Sequence, residues 1–446
     1  MTVAPPETSE QSGGGSRRSL AGWCLHRRAP LLVAALVVVS AMAYSLAWAP
    51  VVRHINGWVI SNDIWSTYRT AHLVAWGDIG DIYSSGEGLV TFPGISVVLA
   101  PIAALTGALG LSESFPFSIA YPTAWLVLGP IQLILGSIVL LPLDALAEFL
   151  GVPRRRRAGL AVAGGLVLWP VLALWGHPED VLAIAAASGT LLFAFKRQWR
   201  AAGWFFGLAV ALQPLVLLIL PVVVLAVVPD LRERLKFLIR AALPALCLLA
   251  IPLAQSWSAT TTTLLHQPNF PTVDHPTPWL FLSPVMAAAH RGHGIAGVVF
   301  VHGHYQRIPG ASVIGEVVAA GPGRTIALAL ACGVGLWAWK VRPGPAHVVW
   351  LAALCLALRC VFEGVMDPFY LWPPLALLLV AGACGVTWRF WSAAAASFAL
   401  SVYSEEFFSP WVWYGPTMLL LATALAAARP GTLSRSPVIP VAVPDS

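Results

Sequence analysis

Runs of about 17 to 25 consecutive apolar residues recur along almost the whole chain, and they leave few folds open. A helix of that length crosses the hydrocarbon of a bilayer, whereas a soluble core has no use for so many. The 446 residues are 58% hydrophobic and only 10% charged, with 20 Trp and a mean hydropathy of +0.77. Lipid gives an exposed backbone no hydrogen-bond partners, and the strict alternation of a barrel strand is absent, so the runs are expected to be helices. The expected fold is an all-α, polytopic integral membrane protein with about twelve transmembrane helices. The spans are 30–49, 92–111, 120–143, 158–175, 181–195, 203–228, 237–254, 324–339, 348–362, 369–386, 390–403 and 411–427.

The charge pattern orients them. A net charge of +6 and a pI near 9.2 would suit nucleic acid, but the Lys and Arg sit in short clusters between spans, which is the positive-inside pattern. Arg17, Arg18, Arg27 and Arg28, then Arg154 to Arg157, Lys196 to Arg200, Arg232 to Arg240, Lys340 with Arg342, Arg389 and Arg429 mark the cytoplasmic side. Two regions resist the count. Between Asp63 and Arg154 the number of crossings must be odd, yet two apolar runs are read there. The run 203–228 contains Gln213-Pro214 and Pro221, so it is read as two short segments meeting near Pro214.

Residues 1–29 and 429–446 are expected to be disordered cytoplasmic tails flanking a membrane domain over 30–428. The first span lacks the flanks of a cleaved signal and is read as a retained anchor. None of the six Cys falls in a metal-binding spacing, and buried thiols are the expectation.

The remaining polar residues gather on the outward loops, about 51–91, 176–180, 255–323, 363–368 and 404–410. A transporter needs ionisable groups at mid-depth, open in turn to both sides, whereas this arrangement favours a one-sided site at the membrane surface. Asp63 heads the first loop. It is a candidate general base, with capping of a short interfacial helix as the alternative. His177, Glu179 and Asp180 are read either as substrate contacts or as the cap and acidic first turn of the next helix. Asp78 and Asp81, each beside Gly, read as turn residues. His266, His275, His290, His293, His302 and His304 lack the spacing of a metal site; contact with phosphate or sugar is one reading and a solvated loop the other. Trp257, Trp279, Phe281 and their neighbours suit headgroup anchoring or stacking on sugar.

The order Asp63-Ile64-Trp65-Ser66-Thr67-Tyr68, Gly80-Asp81-Ile82-Tyr83 and Phe92-Pro93-Gly94 resembles the start of polyprenol-phosphate-dependent membrane glycosyltransferases of the C-fold (GT-C) class. Actinobacterial α-mannosyltransferases of the phosphatidylinositol-mannoside type are the particular likeness. Gly207-Leu208-Ala209-Val210-Ala211-Leu212-Gln213-Pro214 is similar to a family stretch with Lys at the place of Gln213, and Asp367-Pro368-Phe369-Tyr370 to a late aromatic element. The family's Gly-Gln-x-Asn stands here as Gly176-His177-Pro178-Glu179-Asp180, and its aromatic-Pro-Pro as Phe92-Pro93-Gly94.

The resemblance implies a GT-C fold in the plasma membrane, with both termini cytoplasmic and the active site built by extracytoplasmic loops. It implies transfer of a sugar, mannose or its rival arabinofuranose, from a polyprenyl-phosphate donor to a glycolipid or cell-envelope glycan. Asp63 is the implied base. Arg69, His177, Glu179, Asp180, Gln213, His302, His304 and Arg307 are candidates for donor contact, and Tyr68, Tyr83, Asp367 and Tyr370 for lining the acceptor side. No cofactor is expected, with a divalent metal left open, and the expected partners are the two substrates and membrane lipids, not nucleic acid. The alternative function is a lipid or lipid-glycan transporter or flippase.

Overall fold

The computed structural model of the chain describes residues 26–52, 57–61, 63–84, 89–112, 121–267, 269, 271, 274–290, 297–301, 304–308, 314–406 and 408–431. For Val52 and residues 286–290, 297–301, 304–308 and 314–317 it describes the backbone alone. Eight helices among these are long and apolar enough to cross a membrane: Arg28–Val51, Trp125–Phe149, Arg154–Trp175, Pro178–Phe195, Leu231–Gln255, Gly323–Val341, Pro345–Phe362 and Pro410–Ala428. The chain is therefore a membrane-embedded, multi-helical protein. Shorter apolar helices are Gly94–Ala108, Trp199–Leu212, Pro214–Val227 and Pro368–Ala383.

Packing sorts these helices into an interior and a rim. Every residue from Trp372 to Ala383 is buried, so this helix is the axis around which the others gather. Arg154–Pro170, Leu140–Phe149, Pro345–Phe362 and Thr387–Tyr403 pack directly on it. Arg28–Ala43, Leu231–Gln255 and Gly323–Val341 keep most of their apolar surface outside, with Leu32, Leu36, Leu246 and Trp337 exposed. Helices apolar on their outer faces suit a solvent of lipid chains.

The two runs that resisted counting resolve locally. Gly94–Ala108 has 15 residues, about 22 Å of helix against about 30 Å of hydrocarbon. It lies against Ile64–Trp76, held by the bond between the hydroxyls of Tyr68 and Thr106 and by Thr70 with Ser96 at 2.7 Å. The expected span at 92–111 is thus a 15-residue helix packed on Ile64–Trp76, and Trp125–Phe149 is the one helix described between Asp63 and Arg154 that is long and apolar enough to cross a membrane. In the second run the helix ends at Leu212 and Gln213 is extended. The chain resumes as a 3-10 turn over Pro214–Ile219 and a π turn over Val223–Val227. Arg234 donates to the carbonyls of Val228 at 3.1 Å and Leu225 at 3.3 Å, so the run leaves and returns to the arginine-bearing end with Gln213 at its apex.

That basic end is built as well as charged. Arg156 donates to the carbonyls of Ala383 and Gly385, and Arg389 to that of Ala426, so arginines satisfy carbonyls left over at helix C-termini. Arg27 and Arg157 both bind the buried Asp144, and Arg27 also holds Glu148 at 2.5 Å. His26 contacts Glu148 too. The expected tail 1–29 is corrected here: His26 and Arg27 belong to the bundle, while 1–25 and 432–446 lie outside the described residues.

The opposite, acidic end carries the loops. Helix Trp257–His266 leads into three short antiparallel ladders, an addition to the all-α expectation: His275–Pro276 with Val365–Met366, Val285–His290 with Ile314–Val318, and Gly297–Val301 with His304–Ile308. The aromatic loop residues split between two roles. Trp279 donates to the Tyr414 hydroxyl at 3.1 Å and fastens the loop to the bundle, while Trp257, Phe281 and Trp411 are exposed, as headgroup anchors would be.

Asp144 ties three chain segments together, and its removal leaves two buried guanidinium groups with the more exposed Glu148 as their shared acid. Asp144→Asn is expected to cost about 3–5 kcal/mol. A melting curve of the detergent-purified protein checks this, and an unchanged midpoint contradicts it.

Candidate functional site

The site begins with a turn that only glycine can make. The π turn Val171–Trp175 shifts the carbonyls of its helix out of register. Two of them, on Leu172 and Ala173, accept from the Ser61 hydroxyl at 2.9 and 3.2 Å. A third, on Trp175, accepts the Asp63 N–H at 2.8 Å. The chain then turns at Gly176 with φ +75, where a Cβ would stand 2.6 Å from the Ser61 Cβ and 2.9 Å from that of Ile64. Both the left-handed backbone and this close approach exclude a side chain. Pro178 at the first position of the next helix fixes its start. The two segments, 114 residues apart in sequence, are thereby held side by side.

Asp63 stands at the N-terminus of helix Ile64–Trp76, but its side chain does not cap that helix. Its Oδ2 instead lies 2.9 Å from His177 Nε2. On the other side of the ring, Nδ1 is 2.5 Å from Glu179 Oε1 and 3.8 Å from Asp180 Oδ2. Phe369 stacks on the imidazole at a centroid distance of 3.5 Å and an angle of 19°. His177 does not cap its helix either. Neither side chain thus caps a helix, while Glu179 and Asp180 do form the acidic first turn of helix Pro178–Phe195, as the alternative reading had it.

A polar relay continues inward from Asp180. Gln213 Nε2 donates to Asp180 Oδ1 at 2.9 Å, the Thr91 hydroxyl donates to Gln213 Oε1 at 3.1 Å, and the Tyr83 hydroxyl donates to the Thr91 carbonyl at 2.8 Å. Gly94 makes the relay fit, since a Cβ there would sit 2.2 Å from the Ala211 carbonyl oxygen. That approach gives Phe92-Pro93-Gly94 a local reason to end in Gly.

Exposure ranks the members. The side chain of Asp63 is 39% exposed, against 13% for His177 and 4% for Glu179, and none for Asp180. Of the four, Asp63 is the group that meets the outside. Burial works against the His177 imidazolium, but the charge of Glu179 and the hydrogen bonds of Asp63 and Glu179 outweigh it and hold the ring's pKa well above its usual value. Asp367 is pushed up by burial and by the charges of Asp274 and Asp63, and its carboxyl hydrogen-bonds that of Asp274.

Of the other residues singled out in the sequence, Tyr68 is buried against Thr106 and Arg69 lies on the exposed face of its helix. Tyr370 is buried beneath the Arg359 guanidinium, which stands 3.9 Å from the ring centroid. His275 stacks on Trp413 at 4.3 Å, and burial lowers its pKa to about 4, so it is a neutral packing residue. His266 is exposed at the end of its helix. His302 and His293 lie outside the described residues, as do the side chains of His290, His304 and Arg307. Asp78 and Asp81 are turn residues, as expected.

Sequence reasoning passed over Asp274, Thr91, Arg359 and Glu363. Arg359 and Arg324 both pair with the buried Glu363 at 3.0 Å, and this pairing lowers the Glu363 pKa in spite of burial. An Arg and a Glu four residues apart at the end of an apolar helix were the available signal for that pair. The sequence left a divalent metal open, and ligand atoms of His177, Glu179 and Asp180 lie within 4.8 Å of one another.

Chemically, the arrangement offers an outward carboxylate oriented by an imidazolium, in surroundings with an excess of acidic groups. No family model matches this chain, and neither a curated protein nor a solved structure matches it.

Glu405 accepts from Trp175 Nε1 at 3.0 Å, and burial together with the charge of Glu406 raises its pKa to about 7 in spite of that bond. The folded chain thus holds this proton more tightly than the unfolded chain. Its contribution to stability is present in full below about pH 4.5, where a carboxyl in the unfolded chain is protonated, and is lost as pH rises through about 7. The melting temperature of Glu405→Gln relative to wild type is expected to climb between about pH 5 and 8. A gap that stays constant with pH contradicts this.

Proposed function

We propose that the chain is a membrane glycosyltransferase that moves a sugar, mannose by preference, from a polyprenyl-phosphate donor to a glycolipid or envelope-glycan acceptor at the extracytoplasmic face. The observation that carries this reading is Asp63, half-open to the outside with one oxygen on His177 Nε2 at 2.9 Å. In an inverting displacement the acceptor oxygen bonds to the anomeric carbon as the bond from that carbon to the phosphate oxygen breaks. The acceptor proton goes to the carboxylate. Both nitrogens of His177 are occupied by carboxylates, so the ring is no base itself and serves to orient Asp63.

The same reading takes the bundle as GT-C-like, with twelve crossings. These are the eight long helices together with Trp199–Leu212, Pro214–Val227, Pro368–Ala383 and Thr387–Tyr403. Gly94–Ala108 and Ile64–Trp76 are then the outer layer over the site. The arginine-bearing end, with both termini, is cytoplasmic, and the membrane is the plasma membrane. A transport reading gains nothing from the deeper acids, because Asp144 and Glu148 are tied to Arg27 and Arg157.

Membranes containing the protein and supplied with radiolabelled polyprenyl-phosphate mannose are expected to label a glycolipid. Asp63→Asn is expected to reduce labelling by about 10²-fold or more at normal protein level. His177→Gln should fall by less. Undiminished labelling in Asp63→Asn overturns the assignment of the base, and labelling only from polyprenyl-phosphate arabinose moves the donor sugar.

A further inference from the structure

We propose that His177, Glu179 and Asp180 form a binding site for one divalent cation of the Mn²⁺ or Zn²⁺ kind. One nitrogen of His177 and one oxygen from each carboxyl lie within 4.8 Å of one another. That is the spread of ligands around a single ion at about 2.0–2.4 Å from each. Proximity alone would not carry the assignment, because acids also gather without a ligand.

The independent observation is the state of the two carboxyls. Glu179 Oε2 and Asp180 Oδ2 are buried and have no hydrogen-bond partner among the described residues, in side chains 4% and 0% exposed. Buried polar atoms are almost always satisfied, and two orphaned oxygens on adjacent residues point to a positive partner. Their aim is also set. Gln213 takes up Asp180 Oδ1 and leaves Oδ2 on the side of His177 Nδ1, 3.8 Å away.

Asp63 completes the arrangement from the other side of the ring. By engaging Nε2 at 2.9 Å it leaves Nδ1 as the nitrogen facing the two carboxyls, and Phe369 clamps the ring plane. A carboxylate on the far nitrogen is the usual way a metal-bound imidazole is oriented. Nδ1 stands at hydrogen-bond distance from Glu179 Oε1, 2.5 Å, with a proton between them. On binding, the ion takes the place of that proton, which leaves to solvent, so uptake strengthens as pH rises. One imidazole with two carboxylates suits Zn²⁺ and Mn²⁺ better than Ca²⁺ or Mg²⁺, which favour all-oxygen sets.

The ion would also answer an electrostatic problem of the site. Asp63 and Glu179 flank His177, and Arg359 is already committed to Glu363, so a phosphate-bearing donor would meet two carboxylates with one imidazolium between them. A divalent cation at His177 would supply the countercharge. This role rests on the transferase reading; the binding site itself does not.

The full-length protein, purified in detergent with chelator and then freed of it, is titrated with Mn²⁺ while the electron paramagnetic resonance signal of free Mn²⁺ is followed. One ion per chain is expected to disappear from the free signal, and Zn²⁺ to release it again. Asp180→Asn and Glu179→Gln, each checked for a wild-type elution profile, are expected to weaken binding at least about tenfold. Added Mn²⁺ should also raise the melting temperature of wild type and not of the variants. No uptake of either metal by wild type, or equal uptake by wild type and a folded variant, overturns the proposal. Sugar transfer is measured on the same preparations. Mn²⁺ uptake without transfer supports the site and counts against the transferase reading, whereas transfer without uptake of either metal overturns the site alone.

Discussion

The imidazole of His177 is the junction on which the acidic end depends. It touches Asp63 on one edge, Glu179 on the other and Phe369 on its face, and so joins the first loop, the start of helix Pro178–Phe195 and the start of the central helix. A neutral side chain in its place would leave acids from three segments facing one another without compensation. The ring can hold this position because the backbone beneath it is fixed first. Ser61 and Asp63 dock on the carbonyls of a π turn, and Gly176 allows the approach. Charge arrangement and backbone geometry are therefore one design, and disturbing either undoes the other.

The class of fold was legible because lipid imposes one rule on every span, and apolar length reports it directly. The depth of individual helices was less so. Gly94–Ala108 reads as a span by composition, while its length of 15 residues and its packing on Ile64–Trp76 come from the structure. Gln213-Pro214 did announce its break, because a missing amide is a local property. Arg156 and Arg389 were read as markers of orientation, while their bonds to helix-end carbonyls are non-local and carry no pattern in the chain.

The candidate site divides in the same way. Asp63, His177, Glu179, Asp180 and Gln213 stood out as polar residues in an apolar chain, and the structure brings them together. What the sequence lacked was pairing. Nothing in the spacing says that Asp63 engages Nε2 and not the helix N-terminus, since Ser61-Asn62-Asp63 suits a cap equally well. Tyr68 and Tyr370 belong to the motif stretches themselves, and what the sequence did not show is that the one meets Thr106 and the other Arg359.

Gln213 shows how a single neutral side chain sets the character of a pocket. A Lys at this place would put an ammonium beside Asp180 and close an internal ion pair there. An amide makes the contact without cancelling the charge, and its direction is fixed, because its oxygen is occupied by Thr91 and its nitrogen by Asp180. The amide therefore fixes Asp180 in place and leaves the charge balance of this corner to the carboxyls and His177 alone.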